Sequence, residues 1–226
     1  MKLTGFGKSV FEFNLGLKTP SMKRLPYEFI NPFEDEMIVR IQHEFCSRFY
    51  KGKGKRIGIF GINPGRLGAG ITGIPFTDPK NLKAACGIHS LPFDSSELSS
   101  EFVYSVINEF GGLTSFYQKF YIGSVCPLGL LFNGTNANYY DSPELIQRLK
   151  GWIADCMITQ VEMGLRTDAA IVLGTGKNAK FFAALNNEFA FFERLHVLDH
   201  PRYIMQYKRR DVTRYINDYK GLLSWL

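Results

Sequence analysis

Two short segments carry residue types that can do chemistry, and each follows a run that reads as a strand. Asn63 stands in GINPG, directly after RIGIF, and His200 stands in DHPRYI, directly after RLHVL. The first segment continues as RLGAGITGIPFTD, a chain of glycines leading to Phe76. Such a stretch at a strand end suits either a nucleotide phosphate or a pocket for a base. His200 is a titratable imidazole between Asp199 and Pro201; the plainer alternative is a turn histidine with no task. His43 reads as part of a helix, His89 as part of a loop and His196 as a satisfied core residue. GTGKN, beginning at Gly174, lacks the GxxxxGK[ST] spacing, and no GxGxxG follows a strand, so a nucleotide fingerprint is not met. Neither GxSxG nor HExxH occurs. Cys46, Cys86, Cys126 and Cys156 form no CxxC pair, which predicts buried thiols and no metal site.

These residues must be positioned by strands that alternate with helices. RIGIF, FYIGSVCP, AAIVLG and RLHVLDHP read as four strands, and AAIVLG is apolar throughout, as a strand buried on both faces must be. Between them NPFEDEMIVRIQHEFCSRFY, SSEFVYSVINEF, SPELIQRLKGWIADCMITQVEMG and KNAKFFAALN carry helical spacing, and DVTRYINDYKGLLSWL closes the chain as a helix. Pro32 suits a helix start; Ser142 and Pro143 suit an N-cap and first turn. A short helix is expected from Pro79 to Cys86. The pattern predicts a three-layer α/β/α sandwich around a central four-stranded parallel sheet. In such sheets ligands bind beyond the carboxyl ends of the strands, which puts GINPG, SVCPLG, GTGKN and DHPRYI at the site. Residues 1–30, with Pro20 and Pro26, read as an irregular N-terminal arm, and residues 31–226 as one domain.

A chain of 226 residues with 45% hydrophobic composition fits one sizeable domain. No apolar run reaches the ~20 residues of a membrane span, and the N-terminus lacks a secretory pattern, so the expectation is a cytoplasmic protein. A net charge of +6, with basic runs at KGKGKR and YKRR, favours polyanions such as nucleic acid; the plainer reading of each run is a solvated turn.

The two strand ends together resemble the signature motifs of the uracil-DNA glycosylase superfamily. GINPG followed by TGIPF is similar to its single-strand-selective monofunctional branch (SMUG), as are CPL at Cys126–Leu128, the VLGTG turn and the His200-Pro201 pair. Order and approximate spacing agree across residues 56–225. The resemblance implies a monofunctional DNA glycosylase that hydrolyses the N-glycosidic bond of uracil, 5-hydroxymethyluracil or another deaminated base, without metal or cofactor, usually as a monomer. It implies that Asn63 holds the attacking water and that His200 stabilises the leaving base. Phe76 stacks on that base, and Gly61, Ile62, Pro64 and Gly65 shape its pocket. The segment after His200 would wedge into DNA through Arg202, Tyr203, Ile204 and Met205, with Lys177, Lys208, Arg209 and Arg210 on phosphates.

Two departures mark a divergent, bacterial-type subgroup. Where the branch has an asparagine that reads the base edge, this chain has Ser124; Asn138 or Asn136 in NGTNANYY is the candidate replacement, although that stretch also reads as an ordinary polar loop. After His-Pro the chain reads RYIMQYKRR instead of Ser-Pro. The lost asparagine motivates the alternative of a catalytically silent nucleic-acid-binding protein on the same fold.

Overall fold

The computed structural model describes residues 3–92 and 94–226. The chain forms α1 (Gly5–Gly16), β1 (Tyr27–Ile30), a 3₁₀ turn (Pro32–Glu34), α2 (Glu36–Phe49) and β2 (Arg56–Gly61). There follow α3 (Ala69–Thr72), α4 (Pro79–Ala84), α5 (Leu98–Phe110), α6 (Gly112–Lys119), β3 (Phe120–Ser124), β4 (Gly129–Phe132) and β5 (Thr135–Ala137). The last part holds α7 (Pro143–Glu162), β6 (Leu165–Leu173), α8 (Lys177–Phe189), β7 (Leu195–Leu198), α9 (Pro201–Tyr207) and α10 (Val212–Trp225).

The expected four-stranded parallel sheet is present, in the order β3-β2-β6-β7. Its strands are the apolar runs singled out above, and β2, β3 and the Ala169–Leu173 part of β6 are buried throughout. Ser142 caps α7 by accepting a hydrogen bond from the Leu145 amide at 3.1 Å. Pro32 begins only a 3₁₀ turn; Asp35, which accepts from the Met37 amide at 2.7 Å, is the N-cap of α2. All four cysteines are free and buried. Among the described residues no helix is long and apolar enough to cross a membrane.

Two features were not legible as elements. The segment read as irregular contains α1, which buries Phe6, Val10 and Phe13, and β1, which pairs antiparallel with β4. NGTNANYY is not a plain loop either: Thr135–Ala137 form β5, completing a second, three-stranded sheet in the order β1-β4-β5. These strands are three to four residues long and draw their register from partners distant in the chain, so local pattern carries little of them.

The basic run KGKGKR is only partly a solvated turn. Arg56, 1% exposed, donates to the carbonyls of Tyr117 (2.9 Å), Gly54 (2.7 Å) and Lys51 (2.5 Å), and its guanidinium lies 4.3 Å from the Phe6 ring centroid. Arg56→Met keeps the bulk and removes every donor. It is expected to cost about 2–4 kcal/mol, since each acceptor left buried loses its partner; urea unfolding would read this, and a midpoint shift within error would refute it.

Candidate active site

The carboxyl ends of the four parallel strands open onto one cavity of about 690 Å³. β2 delivers Ile62, Asn63, Pro64 and Gly65; β3 delivers Ser124; β6 delivers Gly174 to Asn178; β7 delivers Asp199 and His200. Gly61 pairs with Ser124 in register, and the ladder continues beyond the strands: the Val125 amide donates to Gly61 O and the Cys126 amide to Ile62 O, each at 3.0 Å. The Asn63 loop is therefore clamped to its neighbour.

Asn63 is held by the small sheet. Its Nδ2 donates to Ala137 O at 3.1 Å, and its Oδ1 accepts from the Tyr139 amide at 3.4 Å. A carbonyl oxygen has two lone pairs, so one remains for a further donor such as water. Tyr139 is anchored in turn, its hydroxyl donating to Asn178 Oδ1 at 2.7 Å while Asn178 Nδ2 donates to Leu173 O at 2.9 Å.

The TGIPF segment presents Phe76. Thr72, fully buried, accepts from the Ile74 amide at 3.1 Å and donates to Thr77 O at 2.6 Å. Gln42 of α2 donates to Gly73 O at 2.5 Å. Phe76 sits at φ 52°, an uncommon conformation for a bulky residue that this network maintains. A Cβ at position 61 would lie 2.8 Å from the Phe76 ring, so a glycine there is what admits the aromatic side chain to the cavity wall. The ring stands 5.6 Å, centroid to centroid, from that of His200, tilted by 47°.

His200 is the N-cap of α9, with Pro201 at the first helical position. Its Nδ1 accepts from the Arg202 amide at 3.2 Å. Burial, and secondarily the Arg202 charge, depress the imidazole pKa from 6.5 to about 4. The ring is thus neutral at physiological pH, and with Nδ1 engaged as acceptor its proton resides on Nε2.

The chain matches the profile of the Uracil DNA glycosylase superfamily over residues 49–221. The chain belongs to the uracil DNA glycosylase superfamily. Its fold is similar to the crystal structure of wild-type SMUG2 from Pedobacter heparinus, with a TM-score of 0.94 and 41% identity over 98% of each chain. No curated protein matches the sequence. The protein is a SMUG-like member, and hence a DNA glycosylase, a hydrolase of N-glycosidic bonds.

Most of the predicted site residues of this glycosylase meet at the cavity: Ile62, Asn63, Pro64, Gly65, Phe76, Ser124, Asn138, Lys177, His200, Arg202 and Tyr203 all line it. Ser124 is 7% exposed, and both Asn136 and Asn138 reach the wall. Asn138 is partly committed, its backbone N–H donating to Asp141 Oδ2 at 2.7 Å and its Nδ2 to Asp141 Oδ1 at 3.3 Å, while Asn136 Oδ1 accepts from the Arg66 amide at 3.0 Å. Lys177 Nζ lies 6.0 Å from the Tyr140 ring centroid on the same wall.

The wedge segment needs correction. Residues 201–207 are a helix, and its spacing turns Ile204 and Met205 inward, 0% and 5% exposed, into the hydrophobic core. The exposed face instead carries Arg202, Tyr203, Gln206 and Tyr207, the two tyrosine rings 5.5 Å apart. Lys208, Arg209 and Arg210 lie outside the cavity lining, and Arg209 pairs with Glu101 at 3.3 Å. His196 is buried at Nε2 but not satisfied: that nitrogen has no hydrogen-bond partner among the described residues, and the ring meets Trp225 edge-on at 5.6 Å. Among the described residues no group of three or more His, Cys, Asp or Glu could hold a metal ion. Sequence reasoning missed Glu97, Ser99, Tyr140, Gln206 and Tyr207 on the wall. Tyr207 follows from α9 once its helical spacing is recognised; Glu97, a lone acid in SSELSS, carries no pattern at all.

Proposed function

We propose that the protein excises uracil, or another deaminated or 5-substituted base such as 5-hydroxymethyluracil, from DNA and so initiates base excision repair. The observation that supports this best is the convergence of the oriented Asn63 amide, neutral His200 and Phe76 on one cavity. In this reading the target nucleotide leaves the stack and its base lies on Phe76. The C1′–N bond breaks with its electron pair going to the base, leaving negative charge largely on O2. His200 Nε2–H donates to that oxygen, a stabilisation that grows as the charge develops. Asn63 Oδ1 accepts a hydrogen bond from the water that attacks C1′ from the opposite side; the water's oxygen forms the new bond and its proton is released to solvent. No lysine is assigned to a Schiff base, so the reaction ends at an abasic site.

In this reading Lys177, at the N-terminus of α8, and Arg202, both on the cavity wall, meet backbone phosphates. Tyr203 takes the wedge role. Ser124 reads the base edge together with backbone groups or the amides of Asn136 and Asn138. Residues 31–226 form the catalytic domain, braced by α1 and β1, and the protein acts as a monomer.

The experiment incubates labelled oligonucleotides carrying one uracil, 5-hydroxymethyluracil, hypoxanthine or xanthine, single-stranded and duplex, then reveals abasic sites with hot alkali. Strand breaks that disappear with Asn63→Ala and His200→Ala are the expected result. Ser124, in place of an edge-reading amide, favours one second reading, a lesion-binding protein without turnover. Tight binding to these oligonucleotides with no abasic product would establish that reading and overturn the first.

A further inference from the structure

The reaction as derived leaves one charged group on the cavity wall unused. Glu97, immediately before α5, is half-buried and lines the cavity beside Ser99. Its backbone amide is fixed by Asp78 Oδ2 at 2.7 Å, so the side chain has a defined origin. The carboxyl lies over the glycine loop: a Cβ on Gly65 would sit 2.9 Å from Oε1, and one on Gly68 would overlap Oε2. It thus fills the volume that side chains at positions 65 and 68 would occupy. None of the ion pairs among the described residues includes Glu97. Burial is the main cause of its raised pKa, with Asp78 adding to it and Ser99 and Arg202 opposing.

The edges of a bound pyrimidine are apportioned by the surrounding groups. Assigning O2 to His200 on β7 and the N3–C4 edge to Ser124 on β3, at the far side of β2, assigns the C5–C6 edge to Gly65 and to the Glu97 carboxyl that overlies it. Ser99 and Arg202 favour the ionised form of Glu97, and in that form the carboxyl only accepts hydrogen bonds. Beside a base that becomes anionic it is repulsive, unless the base presents a donor to it.

We propose that Glu97 is a specificity determinant, whose carboxyl accepts a hydrogen bond from a donor group on the C5 side of the extruded base and so favours bases that carry one. The inference rests on reading the cavity as a base pocket. It differs from the roles of Asn63 and His200, which act on the bond that breaks whatever the substituent.

The test compares 5-hydroxymethyluracil, whose hydroxyl donates, 5-formyluracil, whose substituent only accepts, and uracil, in one oligonucleotide sequence. In Glu97→Ala the hydroxymethyluracil-to-uracil ratio of kcat/KM is expected to fall at least about 10-fold, the scale of a hydrogen bond to a charged group. In Glu97→Gln, whose amide also donates, the formyluracil-to-uracil ratio is expected to rise. Equal losses on all three bases would overturn the proposal and leave Glu97 a structural brace. Affinities of the same oligonucleotides for Asn63→Ala, with and without Glu97→Ala, give a readout that needs no turnover. Unaltered affinity ratios overturn the proposal, whereas absence of excision by the unsubstituted chain overturns only the glycosylase reading.

Discussion

Asn63→Ala is expected to lower single-turnover excision of uracil by at least about 10²-fold, the usual scale for a positioned group that handles the attacking nucleophile. The substitution removes the oxygen proposed to orient water and also the donor to Ala137 O at 3.1 Å. Asn63→Asp separates the two losses. Aspartate keeps an acceptor oxygen but cannot donate to Ala137 O, so its carboxylate is pushed away from that carbonyl. Partial activity is expected of Asn63→Asp, intermediate between the asparagine and alanine forms. Near-normal turnover in Asn63→Ala would refute the assignment. Binding to uracil-containing DNA provides the control, since loss of chemistry with retained binding is what a positioned nucleophile predicts.

The second large effect is expected at His200. Removing a donor aimed at a developing oxyanion costs about 10²–10³-fold, and His200→Ala should fall in that range. The pH profile is more diagnostic. The imidazole is held near 4, below its ordinary 6.5, by burial and by Arg202. The neutral ring is the donor, so kcat/KM should show no inflection near 6.5 from this residue and should fall only as pH drops toward about 4. Protonation of Nδ1 would replace the bond from the Arg202 amide by a donor–donor clash and uncap α9. Stability moves with the same sign. Between pH 6.5 and about 4 the unfolded chain binds more protons at this site than the folded one. The contribution is therefore present above 6.5 and lost as pH falls through the folded pKa. A wild-type kcat/KM profile that instead titrates near 6.5, and loses that step in His200→Ala, would contradict the neutral-donor assignment.

The site was legible in part because its residues follow strands that announce themselves. AAIVLG is apolar over its whole length and RIGIF is apolar after Arg56, which only a strand covered on both faces tolerates, and the parallel sheet follows from their alternation with helices. Loops after such strands must lie at one edge of the sheet, so the sequence alone brings Asn63, Ser124 and His200 together, and all three line the cavity. The motif after His200 suggests a wedge segment, yet His200 and Pro201 make an ordinary helix start for α9. The helical period then sends Ile204 and Met205 to the core and Tyr203 and Tyr207 to the surface, reversing half of the expected wedge.

By itself the sequence determined the layer architecture, the family through the GINPG, TGIPF and His-Pro segments, and the identity of the groups at each strand end. These are properties of short contiguous segments, in which hydrophobic periodicity and turn chemistry act over a few residues. Only the tertiary structure decided what holds and surrounds those groups. The Asn63 amide is oriented by β5, the Phe76 ring is admitted by the missing side chain of Gly61, and Glu97 overlies Gly65 from a distant segment. Each of these depends on backbone approach between segments far apart in the chain, which no local pattern encodes.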